Sequence, residues 1–307
     1  MEIITDINEF KATPCAATIG SFDGVHLGHR AMLGELQARA VERGLPVMVI
    51  TFAVHPRLLF DARCGSFLLS DNREKVALLE SSGVDYCVML DFDAEMASMS
   101  AERFMKEILR EKLGVELLCI GYDHHFGKPR AGEGFEQYAE YGRASGIEVF
   151  MASPFFMDDI AVSSSKVRRA LSAGDISLAK MLLGYDYSFS GSVTHGAGIG
   201  RSLGFPTANI LLHNDMKLLP ADGVYAVRVF FDGKEHKGIM NIGVKPTIGK
   251  NLAHTIEVHV LDFSGDLYGK EVVVSLLCRV RGEMTFENVD ALRCRISSDV
   301  EFVRNLI

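Results

Sequence analysis

Two histidines lie one helical turn apart in a glycine-punctuated segment near the N-terminus, GSFDGVHLGH at residues 20–29. The segment follows an apolar run and leads into a helical pattern from about residue 27 to residue 43. The amides of the first helical turn are therefore free to bind phosphate oxygens there. The three-residue spacing puts His26 and His29 on one side of that turn. Two donors on one face, beside the positive end of a helix, predict a polyphosphate site. A zinc site would need a third ligand, which the sequence nearby does not offer. The other residues of the predicted site are Gly20, Phe22 and Gly24.

A second group of phosphate-binding residue types is the segment SSSKVR at residues 163–168. It places Ser163, Ser164 and Ser165 at a predicted helix start, with Arg168 one turn further on. Hydroxyls and a guanidinium in this arrangement bind phosphate oxygens. A capped basic helix without function has the same pattern, and for the segment alone both interpretations stay open.

A glycine-rich segment, GAGIGRSLG at residues 196–204, lies in the second half of the chain. It leads into a strand pattern rather than a helix, which excludes a dinucleotide-binding turn, and it lacks the GK[ST] of a P-loop. We interpret it as a mobile flap whose amides wrap phosphates. The candidate phosphate-binding residues of this flap are Gly196, Gly198 and Gly200.

Thr207 and Asn209 follow the flap, two residues apart on a predicted strand, so their side chains face the same way. A hydroxyl and an amide carbonyl are hard oxygen ligands, which magnesium accepts beside nucleotide phosphates. Glu257 shares a strand face with His259 among apolar residues. It has the properties of a general base for a hydroxyl nucleophile, and the alternative is a salt-bridge partner on a half-exposed strand.

The surrounding patterns divide the chain into two predicted domains, residues 1–184 and residues 185–307. The first alternates unbroken apolar runs with helical stretches, which predicts a doubly wound parallel sheet covered by helices. The second has period-two alternation with frequent turns, including Asp232-Gly233, and predicts a small antiparallel β-barrel. A helical stripe ends the chain, with Thr285 as the candidate N-cap.

Composition narrows the function classes. The 307 residues carry a net charge of −8, a field that repels nucleic acid. We expect no membrane span and no export signal, because no apolar run is long enough and the N-terminus has no basic region. The six cysteines contain no CxxC pair and are interpreted as reduced thiols of a soluble cytoplasmic protein.

These motifs resemble two enzyme modules. GSFDGVHLGH and SSSKVR are similar to the signatures of nucleotidyltransferases, whereas GFPTANI, MNIGVKPTIG and TIEVHVLDF resemble the riboflavin kinase module. Together they resemble the bacterial bifunctional riboflavin kinase and FAD synthetase family. The resemblance implies that Thr207 and Asn209 bind magnesium and nucleotide, that Glu257 is the kinase base, and that the histidines and Arg168 serve adenylyl transfer. Riboflavin, FMN and ATP are the implied substrates, and the sequence leaves the oligomeric state open.

Three rival hypotheses remain. In the first, only one module is active and the other is a scaffold. In the second, the chain is a flavin-binding sensor that catalyses no reaction, but a sensor would not need the candidate base Glu257. A cytidylyltransferase shares the first motif but leaves the barrel half unexplained.

Overall fold

The computed structural model describes residues 1–60, 65–122, 134–196, 200, 203–245 and 253–306. Contacts divide the chain into two compact units, the first comprising Met1–Gly65 and Ser70–Ser164 and the second comprising Ser66–Leu69 and Ser165–Ile307. The predicted domain boundary at residue 184 stays a prediction. By their contacts, the residues from Ser165 up to that boundary lie in the second unit.

A six-stranded parallel sheet forms the centre of the first unit. Its strands are β1 (Glu2–Ile4), β2 (Cys15–Ile19), β3 (Val47–Phe52), β4 (Tyr86–Leu90), β5 (Val115–Ile120) and β6 (Glu148–Met151). They are arranged in the order β1-β4-β3-β2-β5-β6. Every residue of β2 and β3 is buried, as expected for strands covered on both faces. The predicted doubly wound sheet is therefore confirmed, and its strand order reverses beside β2, where such sheets bind ligands.

Helices cover both faces of this sheet and enclose two separate hydrophobic clusters. They are α1 (Leu27–Arg43), α2 (Pro56–Phe60), α3 (Asn72–Glu80), α4 (Ala94–Ser98), α5 (Ala101–Phe104) and α6 (Phe135–Ser145). A π-helical segment, Met105–Lys112, continues α5, and a short hairpin pairs β7 (Phe156–Met157) with β8 (Ile160–Ala161). The helix predicted at about residues 27–43 is confirmed, and Gly44 ends it in the left-handed conformation at φ +64°.

A closed antiparallel barrel forms the second unit. Its strands are β9 (Ser188–Thr194), β10 (Ala208–Leu212), β11 (Gly223–Phe231), β12 (Lys234–Lys245), β13 (Ala253–Val260) and β14 (Glu271–Arg281). Their order around the barrel is β10-β13-β12-β11-β14-β9. Helices α7 (Ser164–Ala173) and α8 (Ile176–Leu183) precede the barrel, and α9 (Val289–Leu306) follows it. The predicted barrel and terminal helix are confirmed.

Two details of the second unit test the local predictions. The turn at Asp232-Gly233 joins β11 to β12 as predicted, and both residues have positive φ, at 49° and 74°. The predicted N-cap at Thr285 is wrong. The terminal helix begins three residues after the aromatic Phe286, and Asn288 caps it by accepting a hydrogen bond from the Ala291 N–H at 2.8 Å. The predicted stripe began too early because Phe286 is apolar, although the residues around it are not helical.

No helix among the described residues is long and apolar enough to cross a membrane.

Candidate functional site

The turn between β2 and α1 is held in an unusual backbone conformation. Phe22, Gly24 and Val25 all have positive φ, at 47°, 76° and 33°, and such values are rare for residues with side chains. Asp23 secures the turn from below, because its buried carboxylate accepts hydrogen bonds from the Ser70 N–H at 2.9 Å and the Ser70 hydroxyl at 3.4 Å. The Ser70 hydroxyl also accepts from the Gly24 N–H at 2.9 Å. The strained conformation is therefore maintained by buried polar contacts.

The two predicted histidines meet in this turn. His26 is the N-cap of α1, and its Nδ1 accepts a hydrogen bond from the His29 N–H at 3.3 Å. The two rings stack with centroids 3.7 Å apart, and the Phe22 ring lies 4.9 Å from that of His29. An accepting Nδ1 places the proton of a neutral imidazole on Nε2, so His26 keeps a ring donor. His26 is 5% exposed, so that donor lies in a largely desolvated position.

The SSSKVR segment is divided between the two units. Ser163 and Ser164 lie in the first unit, where the Ser164 hydroxyl donates to the Asp23 carbonyl oxygen at 3.1 Å. The structure therefore brings Ser164 to the histidine turn, as a shared phosphate site requires. Ser165 is exposed and Arg168 is partly buried, and both belong to the second unit. The Arg168 Nε donates to the Phe67 carbonyl oxygen at 2.8 Å within that unit.

A buried lysine that the sequence analysis did not identify, Lys75, lies against the carboxyl end of β3. The Lys75 Nζ donates to the Phe52 carbonyl oxygen at 3.2 Å and to the Thr51 hydroxyl at 3.4 Å. Burial lowers the pKa of Lys75, and the negative charge of Asp23 opposes that shift. The Thr51 hydroxyl in turn donates to the Ser21 carbonyl oxygen at 3.1 Å. A lone lysine on a predicted helix is ordinarily a solvated residue, so no sequence signal marked it.

In the second unit, strand register brings the predicted metal and base residues together. Asn209 on β10 and Asn241 on β12 are both direct cross-strand partners of Glu257 on β13. The Thr207 hydroxyl donates to the Glu257 carboxylate at 3.3 Å. Three neighbouring strands thus bring one carboxylate, one hydroxyl and two amides close together. Asn241 was missed, because nothing in the sequence indicates which strands become neighbours.

The flap glycines allow the backbone to approach these side chains. A Cβ added to Gly196 would lie 1.9 Å from the Asn209 Nδ2. A Cβ added to Gly200 would lie 2.4 Å from the Phe205 carbonyl oxygen and 3.0 Å from the Thr207 hydroxyl. A side chain at either position would therefore collide with the predicted nucleotide site. Gly198 lies outside the described residues.

Two cavities of the second unit meet at Thr207. The larger has a volume of about 880 Å³ and the smaller about 330 Å³, and Thr207 lines both. Apolar residues contribute much of the larger cavity wall, including Leu203, Val224, Ile239 and Met240. The polar and charged side chains of that wall include Thr207, Asn241, Glu257, Arg281 and Asp299. This lining suits a large, mostly apolar ligand whose polar end reaches Thr207 and Glu257.

Oxygen donors at Thr207 and Asn209 fit a magnesium ion that also binds nucleotide phosphates. Among the described residues there is no group of three or more His, Cys, Asp and Glu side chains placed to hold a metal. A hydroxyl, an amide oxygen and nearby phosphate oxygens form the donor set that magnesium prefers.

Two family models match the chain in succession. The model described as FAD synthetase matches residues 9–166, which contain the histidine turn. The model described as riboflavin kinase matches residues 183–307, which contain the barrel.

Relatives match over almost the whole chain. A bifunctional riboflavin kinase/FMN adenylyltransferase of Pseudomonas fluorescens is 42% identical over 95% of this chain and 93% of its own length. The protein of the same name from Escherichia coli K12 is 38% identical over 97% of this chain and 96% of its own length. A solved structure described as a macrolide-efflux protein from Streptococcus pneumoniae has a TM-score of 0.88 and 27% identity, covering 99% of this chain and 98% of that one. The similarity therefore extends over both units of this chain.

Proposed function

This chain belongs to the bifunctional riboflavin kinase/FMN adenylyltransferase family and catalyses both reactions, and we propose which of its residues carry each one. The kinase reaction transfers the γ-phosphoryl group of ATP to riboflavin and gives FMN. The adenylyltransferase reaction joins FMN to the AMP moiety of a second ATP and gives FAD and pyrophosphate. The observation that carries the assignment is the succession of the two family models, each matching a segment with its own candidate site.

The kinase reaction takes place where the two barrel cavities meet. The larger cavity, at about 880 Å³, accepts the flavin, and the smaller, at about 330 Å³, accepts the nucleoside of ATP. Thr207 lines both, so the ribityl 5′-hydroxyl and the γ-phosphate meet beside it. The Glu257 carboxylate, within hydrogen-bond distance of the Thr207 hydroxyl, takes the proton of the 5′-hydroxyl as its oxygen bonds to phosphorus. ADP then leaves with the bridging oxygen.

Thr207 and Asn209 would hold magnesium in this site, together with phosphate oxygens of ATP. Bound magnesium neutralises charge on the phosphates during transfer. The flap glycines Gly196 and Gly200 let backbone amides approach the same phosphates, because a side chain at either position would collide with Asn209 or Thr207. Gly198 is proposed for the same role from the resemblance.

Adenylyl transfer needs no base, because the attacking FMN phosphate is already anionic at neutral pH. Its oxygen bonds to the α-phosphorus of ATP while the bond to the pyrophosphate oxygen breaks, and the protein positions both groups and stabilises the charge. His26, His29 and Ser164 are proposed as phosphate donors, with Gly20, Phe22 and Gly24 shaping the turn. Phosphate binding by Ser163, Ser165 and Arg168 follows from the resemblance and stays a prediction.

We place the enzyme in the cytoplasm, where ATP and riboflavin are available. The thiols support this placement, because every cysteine that the structure describes is free, including the buried Cys15, Cys87 and Cys119. Unpaired thiols are typical of a reducing compartment, whereas disulfides form in oxidising ones.

The direct test is incubation of the purified protein with riboflavin, ATP and magnesium, followed by chromatographic separation of the flavins. We expect FMN to appear first and FAD to follow. Supplying FMN in place of riboflavin separates the half-reactions, so a chain with one active module would complete only one of them. Riboflavin that binds but is never converted would instead identify a sensor.

A further inference from the structure

The terminal helix carries a buried carboxylate that contacts two arginines. Asp299 on α9 is 2% exposed, and its Oδ2 accepts a hydrogen bond from the Arg281 Nε at 2.7 Å. Its Oδ1 lies 3.0 Å from the Nε of Arg295, which is one turn earlier on the same helix. A carboxylate buried to this degree is tolerated when cations pair with it. The two arginines provide that pairing.

The two arginines differ in exposure, and this identifies the one that Asp299 positions. The Arg295 side chain is 41% exposed, so solvent screens its interaction with the carboxylate. The Arg281 side chain, at the end of β14, is 12% exposed. The Arg281 Nη1 also donates to the Gly282 carbonyl oxygen at 3.1 Å, and the guanidinium lies 5.7 Å from the centre of the Phe286 ring. Asp299 thus completes a set of contacts that restrains the Arg281 guanidinium.

Both members of this pair belong to the wall of the larger barrel cavity, on which Glu257 also lies. A guanidinium that is fixed before the ligand arrives loses little conformational freedom on binding. An unrestrained arginine would have to lose the freedom of several rotatable bonds when it meets the ligand. The pair therefore affects how tightly the cavity holds its ligand, while proton transfer at Glu257 proceeds through separate contacts.

We propose that Asp299 is a positioning residue of the riboflavin kinase reaction, holding the Arg281 guanidinium at the wall of the flavin cavity. The terminal helix is then part of the flavin site and not merely a cover for the barrel. This inference rests on the proposed function, since it takes the larger cavity to be the place where riboflavin binds.

The test compares Asp299→Asn with a control at a second ion pair of the terminal helix, in which Arg304 is the helical partner. Asp299→Asn keeps the shape of the side chain and removes its charge. Asp262→Asn removes an exposed partner of Arg304, a pair at 2.7 Å that lies outside the cavity wall. We expect Asp299→Asn to raise the KM for riboflavin about tenfold or more, with kcat and the KM for ATP changing less than about twofold. Asp262→Asn should leave all three constants unchanged.

A double-mutant cycle with Arg281→Lys tests whether Asp299 acts through the arginine. Lysine keeps the positive charge but has no Nε to donate to Asp299. If the account is right, Asp299→Asn adds little to the KM increase that Arg281→Lys already causes. Fully additive effects, or an unchanged KM for riboflavin in Asp299→Asn, would overturn the proposal. So would a fall in kcat with no change in that KM.

Folding and the proposed function are controlled separately. Adenylylation of supplied FMN and far-ultraviolet circular dichroism report whether each variant is folded. Should Asp299→Asn prove insoluble, Arg281→Lys removes the same Nε contact with Asp299, and an unchanged KM for riboflavin in that variant would equally refute the positioning role. A wild-type chain without kinase activity would refute the proposed function itself, which is a different outcome from normal kinase activity insensitive to Asp299.

Discussion

The two candidate sites are built in different ways. The site of the first unit is one continuous segment at residues 20–29, held in shape by local hydrogen bonds and by Ser70 beneath it. The site of the barrel brings together residues from Thr207 to Asp299, placed by strand register and by the terminal helix. A contiguous site carries its own sequence signature, whereas an assembled site is visible only once the strand order is known. We therefore expect single substitutions in the two sites to impair different half-reactions.

Removal of the kinase base is expected to have the largest effect. Glu257→Gln keeps the shape of the side chain and a partner for the Thr207 hydroxyl but cannot accept the proton. FMN formation should fall by about 10² to 10⁴. Adenylylation of supplied FMN should stay within about twofold, because the other site is intact. Glu271→Gln, on the exposed barrel surface, is the control. Kinase activity within tenfold of the wild type would show that Glu257 is not the base.

The histidine turn should give the opposite pattern. His29→Ala removes a proposed phosphate donor and the ring that stacks on His26. FAD formation from supplied FMN should fall by about 10² to 10³, the loss typical of one preorganised donor. FMN formation from riboflavin should be unaffected. His213→Ala, on the barrel, serves as the control for losing a histidine. Normal adenylylation by His29→Ala would remove the basis for the phosphate assignment.

A substitution in the flap should perturb the assembled barrel site, because the flap backbone lies close to the side chain of Asn209. In Gly196→Ala the new methyl group would lie 1.9 Å from the Asn209 Nδ2, so Asn209 has to move away from its position beside Glu257. We expect the KM for ATP in the kinase reaction to rise about tenfold, equivalent to the loss of one hydrogen bond to a charged group.

The matched control is Gly34→Ala on α1, where an added Cβ meets nothing within 4 Å. That variant should keep both activities and gain about 0.5 to 1 kcal/mol of stability from the greater helix propensity of alanine. An unchanged KM for ATP in Gly196→Ala would argue against a close approach of flap and Asn209.

A further prediction concerns stability at alkaline pH and leaves both activities unchanged. Burial raises the pKa of Cys119 from 9.0 to about 12 in the folded protein. Between these values the unfolded chain loses the proton that the folded chain keeps, so stability falls as pH rises through this window. In Cys119→Ala this contribution is absent. Between about pH 7.5 and about pH 10.5, the free energy of unfolding should therefore fall by about 2 kcal/mol less in Cys119→Ala than in the wild type.

Urea unfolding of the first-unit signal measures this difference, with the exposed Cys294 replaced in Cys294→Ala as the control. If the free energy of unfolding had the same pH dependence in Cys119→Ala and in the wild type, the thiol would have the same pKa in the folded and the unfolded chain.

Regular elements were predictable because their patterns are local. The alternation of apolar runs and helical stretches predicted the parallel sheet, and α1 was predicted at its observed bounds. The hairpin at Asp232-Gly233 and the terminal helix were predicted for the same reason. The N-cap at Thr285 was wrong because Phe286 extended the apolar stripe into a stretch that is not helical. The apolar pattern alone did not mark where the helix begins.

The site residues show the same difference between local patterns and long-range contacts. His26, His29, Thr207, Asn209 and Glu257 were identified from short motifs and from the resemblance. Asn241 and Asp299 were not, because each acquires its place through pairing with a residue far away in the sequence. Lys75 was missed for a related reason, since its burial depends on packing and not on its neighbours in the chain. Sequence patterns therefore predict contiguous sites better than assembled ones.

Each of two independent sites carries one step of the conversion, and a mixing experiment tests this independence. His29→Ala and Glu257→Gln are each incubated with riboflavin, ATP and magnesium, and then combined in equal amounts. Neither variant alone should produce FAD from riboflavin at an appreciable rate. The mixture should produce it, because FMN made by the first variant is adenylylated by the second. A mixture that makes no FAD, although each variant keeps its own half-reaction, would contradict independent sites.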